Sequence, residues 1–380
     1  MGFCENWIID FFCPKKFGKK GPITCDRQIF DRFPNVNLVA AIPDRRDGEE
    51  GYLLEIGFHR KPKAKPCIKF QDEGQQGFQN NVIYSELGRI ETINTATMEA
   101  EAVSADSISA AQNCSPHTLK KRGSEHFPAM GGFSIGRAHS DRSGTLGCKV
   151  TVTGGEAGDY FLTCWHVAGG TRARVGDLIF QPGRNDSYFG SYRECLEQTY
   201  FGTLAGWIND DEHDISLVKV PANHRFAPGI MGLSVKQGIV QEKTDAVVKK
   251  CGRTTCITEG KIASFQASVR VTCFPSEAEK VFTNQILTTA CAEPGDSGSF
   301  LVQKQGETWM PTGLIFAKTE KRNIIDFEKH DLSDSVETSY TCANSLYTLQ
   351  GKLFEPDLEI TISENFLSLE DLESLENSAG

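Results

Sequence analysis

Cys291-Ala292-Glu293-Pro294-Gly295-Asp296-Ser297-Gly298-Ser299-Phe300-Leu301-Val302 runs from a small, turn-forming octet straight into an apolar strand. Gly-Asp-Ser-Gly presents a serine hydroxyl on a tight loop whose small neighbours let another backbone approach. The amides of Gly295 and Ser297 can point at one spot, where an oxyanion would form. A serine hydroxyl is a weak nucleophile alone, so this reading requires a base and a group to orient that base.

Two other stretches supply them. Phe161-Leu162-Thr163-Cys164-Trp165-His166-Val167-Ala168 puts a histidine at the end of an apolar strand. Asp210-Asp211-Glu212-His213-Asp214-Ile215-Ser216-Leu217-Val218 puts an aspartate just before another. Asp210 and Asp211 compete with Asp214 for the orienting role, and His213 competes with His166. Asp214 is preferred because it abuts the apolar strand, where a buried orienter belongs. The order is His166, Asp214, Ser297, with gaps of 48 and 83 residues. In this chemistry Ser297 attacks an acyl carbon, His166 moves the proton, and Asp214 holds the imidazole tautomer. An ordinary turn serine and a satisfied strand-end histidine are the bland readings; the three pieces together outweigh them.

Around these pieces, from about Gly131, short apolar strands alternate with Gly, Pro and Asp punctuation. Strands are expected at Thr145–Val152, Tyr160–Trp165, Ile215–Val220, Lys261–Phe274, Val281–Ala290, Phe300–Val302, Thr312–Ala317 and Ser339–Ala343, with a closing helix at Ser345–Leu353. This is an all-β pattern of barrels or a sandwich. Residues 23–92 read as a small N-terminal α+β or β domain, with strands at Asn37–Ile42, Gly51–Phe58 and Val82–Leu87. Residues 93–130 change to Ala, Ser, Thr and acids and read as a linker. Lys120–Arg122 within it is a short basic cluster with a solvated reading.

The region 131–353 resembles the trypsin-like (chymotrypsin-fold) serine peptidases. It looks nearest the intracellular, non-secreted branch that includes the NARROW LEAF 1-like proteases. The resemblance rests on Ser134-Ile135-Gly136, Gly144-Thr145-Leu146-Gly147, Leu162–Val167, His213–Val218, Lys250–Thr255 with Glu259–Ile262, Gly295–Ser299 and Thr312–Phe316. It implies a double β-barrel, with His166 and Asp214 on the first barrel and Ser297 on the second. It implies a serine endopeptidase acting through an acyl-enzyme on a protein or peptide substrate. An esterase with the same triad, or a protease-fold scaffold with little turnover, are the competing readings.

The chain departs from the secreted pattern in three ways. Cys164 precedes the histidine instead of a cysteine following it. Met130-Gly131-Gly132 is only a faint echo of an activation terminus, so Asp296 is not expected to be switched by a freed α-amine. Cys291 stands where the family lines the base of its specificity pocket, and an uncharged pocket there implies an apolar or small acyl-side residue.

Composition sets the outer bounds. Net charge is −10, and residues 353–380 carry eight acids and no base, so the body is near neutral with an acidic tail from 354. That excludes a general nucleic-acid binder. No apolar run reaches the length of a membrane span. The start lacks a basic segment followed by an apolar core, so no secretory signal is read and an intracellular, cytoplasmic location is expected. The thirteen cysteines have no framework spacing and are expected to be reduced. No Cys-x-x-Cys pair occurs, and neither a metal nor a cofactor is expected. Residues 1–22 join an apolar patch to a basic one. Gly2 and Cys4 fit a dual lipid signal for membrane association, against a plain docking segment. The oligomeric state and natural substrate are not legible.

Overall fold

In the computed structural model, the described residues are 9–12, 29–31, 33–44, 51–63, 67–70, 82–93, 129–140, 142–153, 158–186, 200–221, 226–236, 238–273, 278–325, 339–349, 353–354 and 358–362. Gly2, Cys4 and Lys120–Arg122 lie outside them. Runs rich in β-branched and aromatic residues form strands, as their two-residue periodicity dictates. Tyr200–Asn209 alternates buried with half-buried positions, while Asp214–Val220 is buried at six of its seven residues and so lies inside the protein on both faces.

Two sheets carry the architecture, which is all-β. The first has nine strands. In spatial order they are Leu353–Phe354, Leu358–Ile362, Lys149–Thr153, Asp159–Thr163, Asp214–Val220, Tyr200–Asn209, Leu178–Phe180, Ser134–Arg137 and Gly144–Thr145. In the second, Val247–Gly252, Phe300–Gln305, Thr308–Thr319, Thr341–Ser345, Ala278–Thr288 and Cys256–Cys273 follow one another. Cys256–Cys273 pairs back onto Val247–Gly252, so these six strands close into a barrel. One continuous core joins the two sheets: Leu162 and Leu217 of the first lie in the same buried cluster as Phe300 and Phe316 of the second. Phe282 and Phe316 pack with ring centroids 5.0 Å apart. Such aromatic pairs add about 0.5–1.5 kcal/mol beyond the area they bury.

Three boundaries differ from the sequence reading. The strands of the N-terminal region share a buried cluster of their own, including Phe30, Val36, Leu54, Ile56 and Tyr84, and also join the second sheet at its edge. Val36–Asp44 pairs with Cys256–Cys273, and Gly51–Phe58 and Val82–Glu86 follow it in the same sheet. Glu55, fully buried, anchors this extension. Its carboxylate accepts from Arg322 Nε and Nη2 at 3.0 and 3.1 Å and from the Tyr340 hydroxyl at 2.9 Å. Second, the expected linker begins too early and ends too late in the reading. Ile93 is 2% exposed, and Ala129 and Met130 are buried. Third, the acidic tail is not wholly outside the body: Leu358–Ile362 pairs antiparallel with Lys149–Thr153. In that segment apolar residues alternate with Glu359 and Thr361, a strand pattern masked by the surrounding acids.

At the start of the chain, Ile9–Phe12 pairs with Cys67–Phe70 as a strand. Within the expected closing helix the described helical residues are Leu346–Leu349; Ser345 ends the strand before it and Leu353 begins the strand Leu353–Phe354 after it. Among the described cysteines, Cys148, Cys164, Cys251, Cys273, Cys291 and Cys342 form no disulfide, while Cys256 is disulfide-bonded, contrary to the fully reduced set expected. No helix among the described residues is long and apolar enough to cross a membrane.

Candidate active site

Strand register brings the base to its orienter. Asp159–Thr163 pairs antiparallel with Asp214–Val220, Leu162 opposite Leu217 and Thr163 opposite Ser216. Carrying that register on by two pairs puts Trp165 opposite Asp214. The chain then turns into the short helix Trp165–Ala168, which swings His166 onto the carboxylate. His166 Nδ1 lies 2.6 Å from Asp214 Oδ2, and the His166 backbone amide donates to Asp214 Oδ1 at 3.0 Å. Both side chains are almost fully buried. Burial pushes the Asp214 carboxyl up, but the imidazole contact and the two hydrogen bonds outweigh it and hold the group below the usual carboxylate range. Asn344 Oδ1 fixes the other end by accepting from the Asp214 amide at 2.9 Å, and Asn344 Nδ2 donates to Gln285 Oε1 at 2.9 Å.

The competitors are occupied elsewhere. His213 Nδ1 contacts Asp210 Oδ1 at 3.0 Å and its Nε2 contacts Thr348 Oγ1 at 3.1 Å. His166 Nε2, by contrast, is buried without a hydrogen-bond partner among the described residues. It is the atom that a general base would present.

Ser297 sits on the turn before Phe300–Gln305, with Gly295 at φ 101° and Gly298 at φ 96°. A side chain at Gly298 would place its Cβ 2.0 Å from the Thr145 carbonyl oxygen and 2.4 Å from Thr163 Oγ1. Only glycine fits there on both counts. The turn is stitched to the first sheet as well: the Thr145 amide donates to the Ser297 carbonyl at 2.7 Å, and Thr145 Oγ1 donates to the Gly295 carbonyl at 2.8 Å. The Ser297 hydroxyl is fully buried and donates to the Phe316 carbonyl at 3.2 Å.

Asp296 points away from the nucleophile into a built socket. Lys250 Nζ lies 2.8 Å from its Oδ2, with both side chains 0% exposed. Thr255 Oγ1 donates to the same oxygen at 2.6 Å, and the amides of Glu293, Thr254 and Thr255 donate at 2.9–3.2 Å. Burial raises the Asp296 carboxyl, but Lys250 and these hydrogen bonds prevail and hold it below its ordinary value. The sequence reading missed Lys250 as a functional residue. The signal was present: in Val247–Gly252 the period of two puts Lys250 on the same inward face as Val248. A lysine there demands a buried acid.

The expected oxyanion donor Gly295 is not open. Its amide donates to the carbonyl of Ile93 at 3.3 Å. Cys291, expected at the base of the pocket, is instead exposed, and its carbonyl accepts from Thr258 Oγ1. Its neighbours Ala290 and Ala292 turn inward in its place and join a buried apolar cluster with Ile93, Ile315 and Ala343. Cys164 lies close enough that its Sγ, a His166 nitrogen and an Asp214 oxygen fall within 4.8 Å of one another. Burial first, then the nearby Asp214, pushes that thiol well up, and its Sγ donates to the Ile315 carbonyl at 3.1 Å. A protonated thiol is a poor metal ligand, which leaves His166 and Asp214 to each other.

No curated protein matches the sequence. Among solved structures, Thermobifida fusca protease A aligns at 19% identity, covering 62% of this chain and 100% of that one, with a TM-score of 0.41. Cellulomonas bogoriensis chymotrypsin aligns at 20% identity over 63% of this chain and 100% of that one, with a TM-score of 0.40. A glutamic acid specific serine protease, described as using a histidine triad in substrate binding, aligns at 18% identity over 62% and 100%, with a TM-score of 0.41. Neither these structures nor the family model single out the NARROW LEAF 1-like branch. Residues 147–308, the span that holds His166, Asp214 and Ser297, match the family model described as the trypsin-like peptidase domain.

Proposed function

We propose that the chain is a serine endopeptidase that hydrolyses peptide bonds in protein or peptide substrates through His166, Asp214 and Ser297. Ser297 Oγ attacks the scissile carbonyl while His166 Nε2 takes its proton. The tetrahedral intermediate collapses as His166 returns that proton to the leaving amine, and water repeats the cycle on the acyl-enzyme. Asp214 keeps the proton on Nδ1 and stabilises the imidazolium. The Ser297 amide, joined by the Gly295 amide once the Ile93 carbonyl has left it, holds the oxyanion, a contribution on the order of 3–4 kcal/mol in such sites.

The observation that carries this reading is the 2.6 Å contact from His166 Nδ1 to Asp214 Oδ2, with Nε2 left buried and without a partner among the described residues. A carboxylate that fixes one imidazole nitrogen and leaves the other for proton transfer is what acyl transfer requires. Peptide-library turnover by the purified chain, abolished in Ser297→Ala, tests it; turnover unchanged in Ser297→Ala ends it.

A second reading, a protease-fold adaptor without turnover, is favoured by two observations. Ser297 Oγ faces the Phe316 carbonyl, and the Gly295 amide already has an acceptor.

A further inference from the structure

A protease of this type binds the acyl half of its substrate as an added strand beside the nucleophile. The acyl-side carbonyl enters the oxyanion donors, and the adjoining side chain enters a pocket. In this chain that place is filled from within. Ile90–Thr92 pairs antiparallel with Thr308–Thr319, Thr92 opposite Ala317, Glu91 opposite Lys318 and Ile90 opposite Thr319. Thr341–Ser345 occupies the other edge of that strand, with Cys342 opposite Ala317. The Ile93 amide then donates to the Phe316 carbonyl at 3.0 Å, the same oxygen that accepts from Ser297 Oγ. The Ile93 carbonyl accepts from Gly295, two residues before the nucleophile. The Ile93 side chain, 2% exposed, packs in the cluster that includes Ala290, Ala292, Ile315 and Ala343.

Each of these contacts is one that a bound substrate would make, in the polarity it would make it. A strand used only for support has no need to send its last carbonyl to a donor beside the candidate nucleophile. Resting on the proposed peptidase function, we propose that Ile90-Glu91-Thr92-Ile93 is a built-in occupant of the acyl-side subsites, and that the substrates it displaces are peptides with a β-branched aliphatic residue at the scissile carbonyl. The pocket chemistry agrees. The buried residues packed around the Ile93 side chain in that cluster, Ala290, Ala292, Ile315 and Ala343 among them, are aliphatic. Glu91 is exposed, so the segment is held by its backbone, which also pairs with Cys256–Cys273 at Thr272, and by the buried side chains of Ile90, Thr92 and Ile93.

The test measures hydrolysis of Ile-Glu-Thr-Ile p-nitroanilide, with the same peptide ending in Arg or Glu as comparison, by the full chain, Ile93→Asp and Glu91→Pro. Ile93→Asp removes the apolar anchor. Glu91→Pro removes one strand amide and leaves the pocket intact. The isoleucine peptide is expected to be preferred, and both variants are expected to lower its KM by about tenfold or more at unchanged kcat, because a site occupied nine-tenths of the time weakens apparent affinity tenfold. Preference for the Arg or Glu peptide, or variants that fold with unchanged or raised KM, would overturn the proposal. Fluorophosphonate labelling of Ser297 in all three proteins separates the two claims. Labelling without the expected kinetics removes only this inference, whereas no labelling in any folded protein removes the peptidase reading with it.

Discussion

Lys250 and Asp296 form an ion pair, Nζ to Oδ2 2.8 Å, with no exposed surface on either side chain and with Ser297 next in sequence to the acid. A buried carboxylate needs a cation, and here the chain supplies it from the strand Val247–Gly252 instead of from a freed terminus. The Gly295–Gly298 turn is therefore held in shape by a residue present from synthesis. Breaking a buried pair by removing one partner costs about 3–5 kcal/mol. Lys250→Met is expected to lower unfolding free energy by that amount, read from urea denaturation at pH 7, and to reduce any peptidase activity along with it.

The same pair sets the response to acid. The folded Asp296 and Asp214 carboxyls lie below their ordinary values, so their contribution is fully present above the unfolded aspartate pKa of about 3.9 and is lost as pH falls through the folded values. The urea midpoint of the wild type is expected to drop steeply below about pH 4. In Lys250→Met the sign reverses for Asp296, because burial without a cation raises its carboxyl. Stability of that variant is expected to rise as pH is lowered from 7 towards 5.

Asn344 holds Asp214 from behind. Asn344→Ala leaves the Asp214 amide and Gln285 Oε1 buried without that partner. Each such loss costs about 1–3 kcal/mol. The expected result is a lower kcat with little change in KM, since Asn344 orients the aspartate and does not meet substrate. Steady-state kinetics on a chromogenic peptide checks the split.

Gly298→Ala is expected to be among the most damaging single methyl additions. The new Cβ would meet the Thr145 carbonyl oxygen at 2.0 Å on a backbone at φ 96°. Strain and overpacking each cost about 1–3 kcal/mol, so a loss near the sum of the two is expected in thermal or urea unfolding.

What the sequence made legible was local chemistry. His166 and Asp214, each at the end or start of an apolar strand, are in contact, while the Ser297 hydroxyl bonds the Phe316 carbonyl; the all-β pattern follows from the same alternation. What it hid were relationships between distant strands. Glu55 reads as one acid in a polar hairpin until Arg322 and Tyr340 close around it. Ile93 opens a stretch rich in Ala, Ser and Thr, so composition assigned it to a linker; the pocket it fills is made by residues roughly two hundred positions later. Position alone puts Cys291 inward; the turn places Ala290 and Ala292 inward and leaves Cys291 exposed.

The most direct test of the account is covalent labelling with a fluorophosphonate, mapped by mass spectrometry in wild type, Glu91→Pro, His166→Ala and Ser297→Ala. One adduct is expected, on Ser297, formed faster in Glu91→Pro, strongly slowed in His166→Ala and absent from Ser297→Ala. An adduct that persists in Ser297→Ala, or none in folded wild type and Glu91→Pro alike, would contradict it.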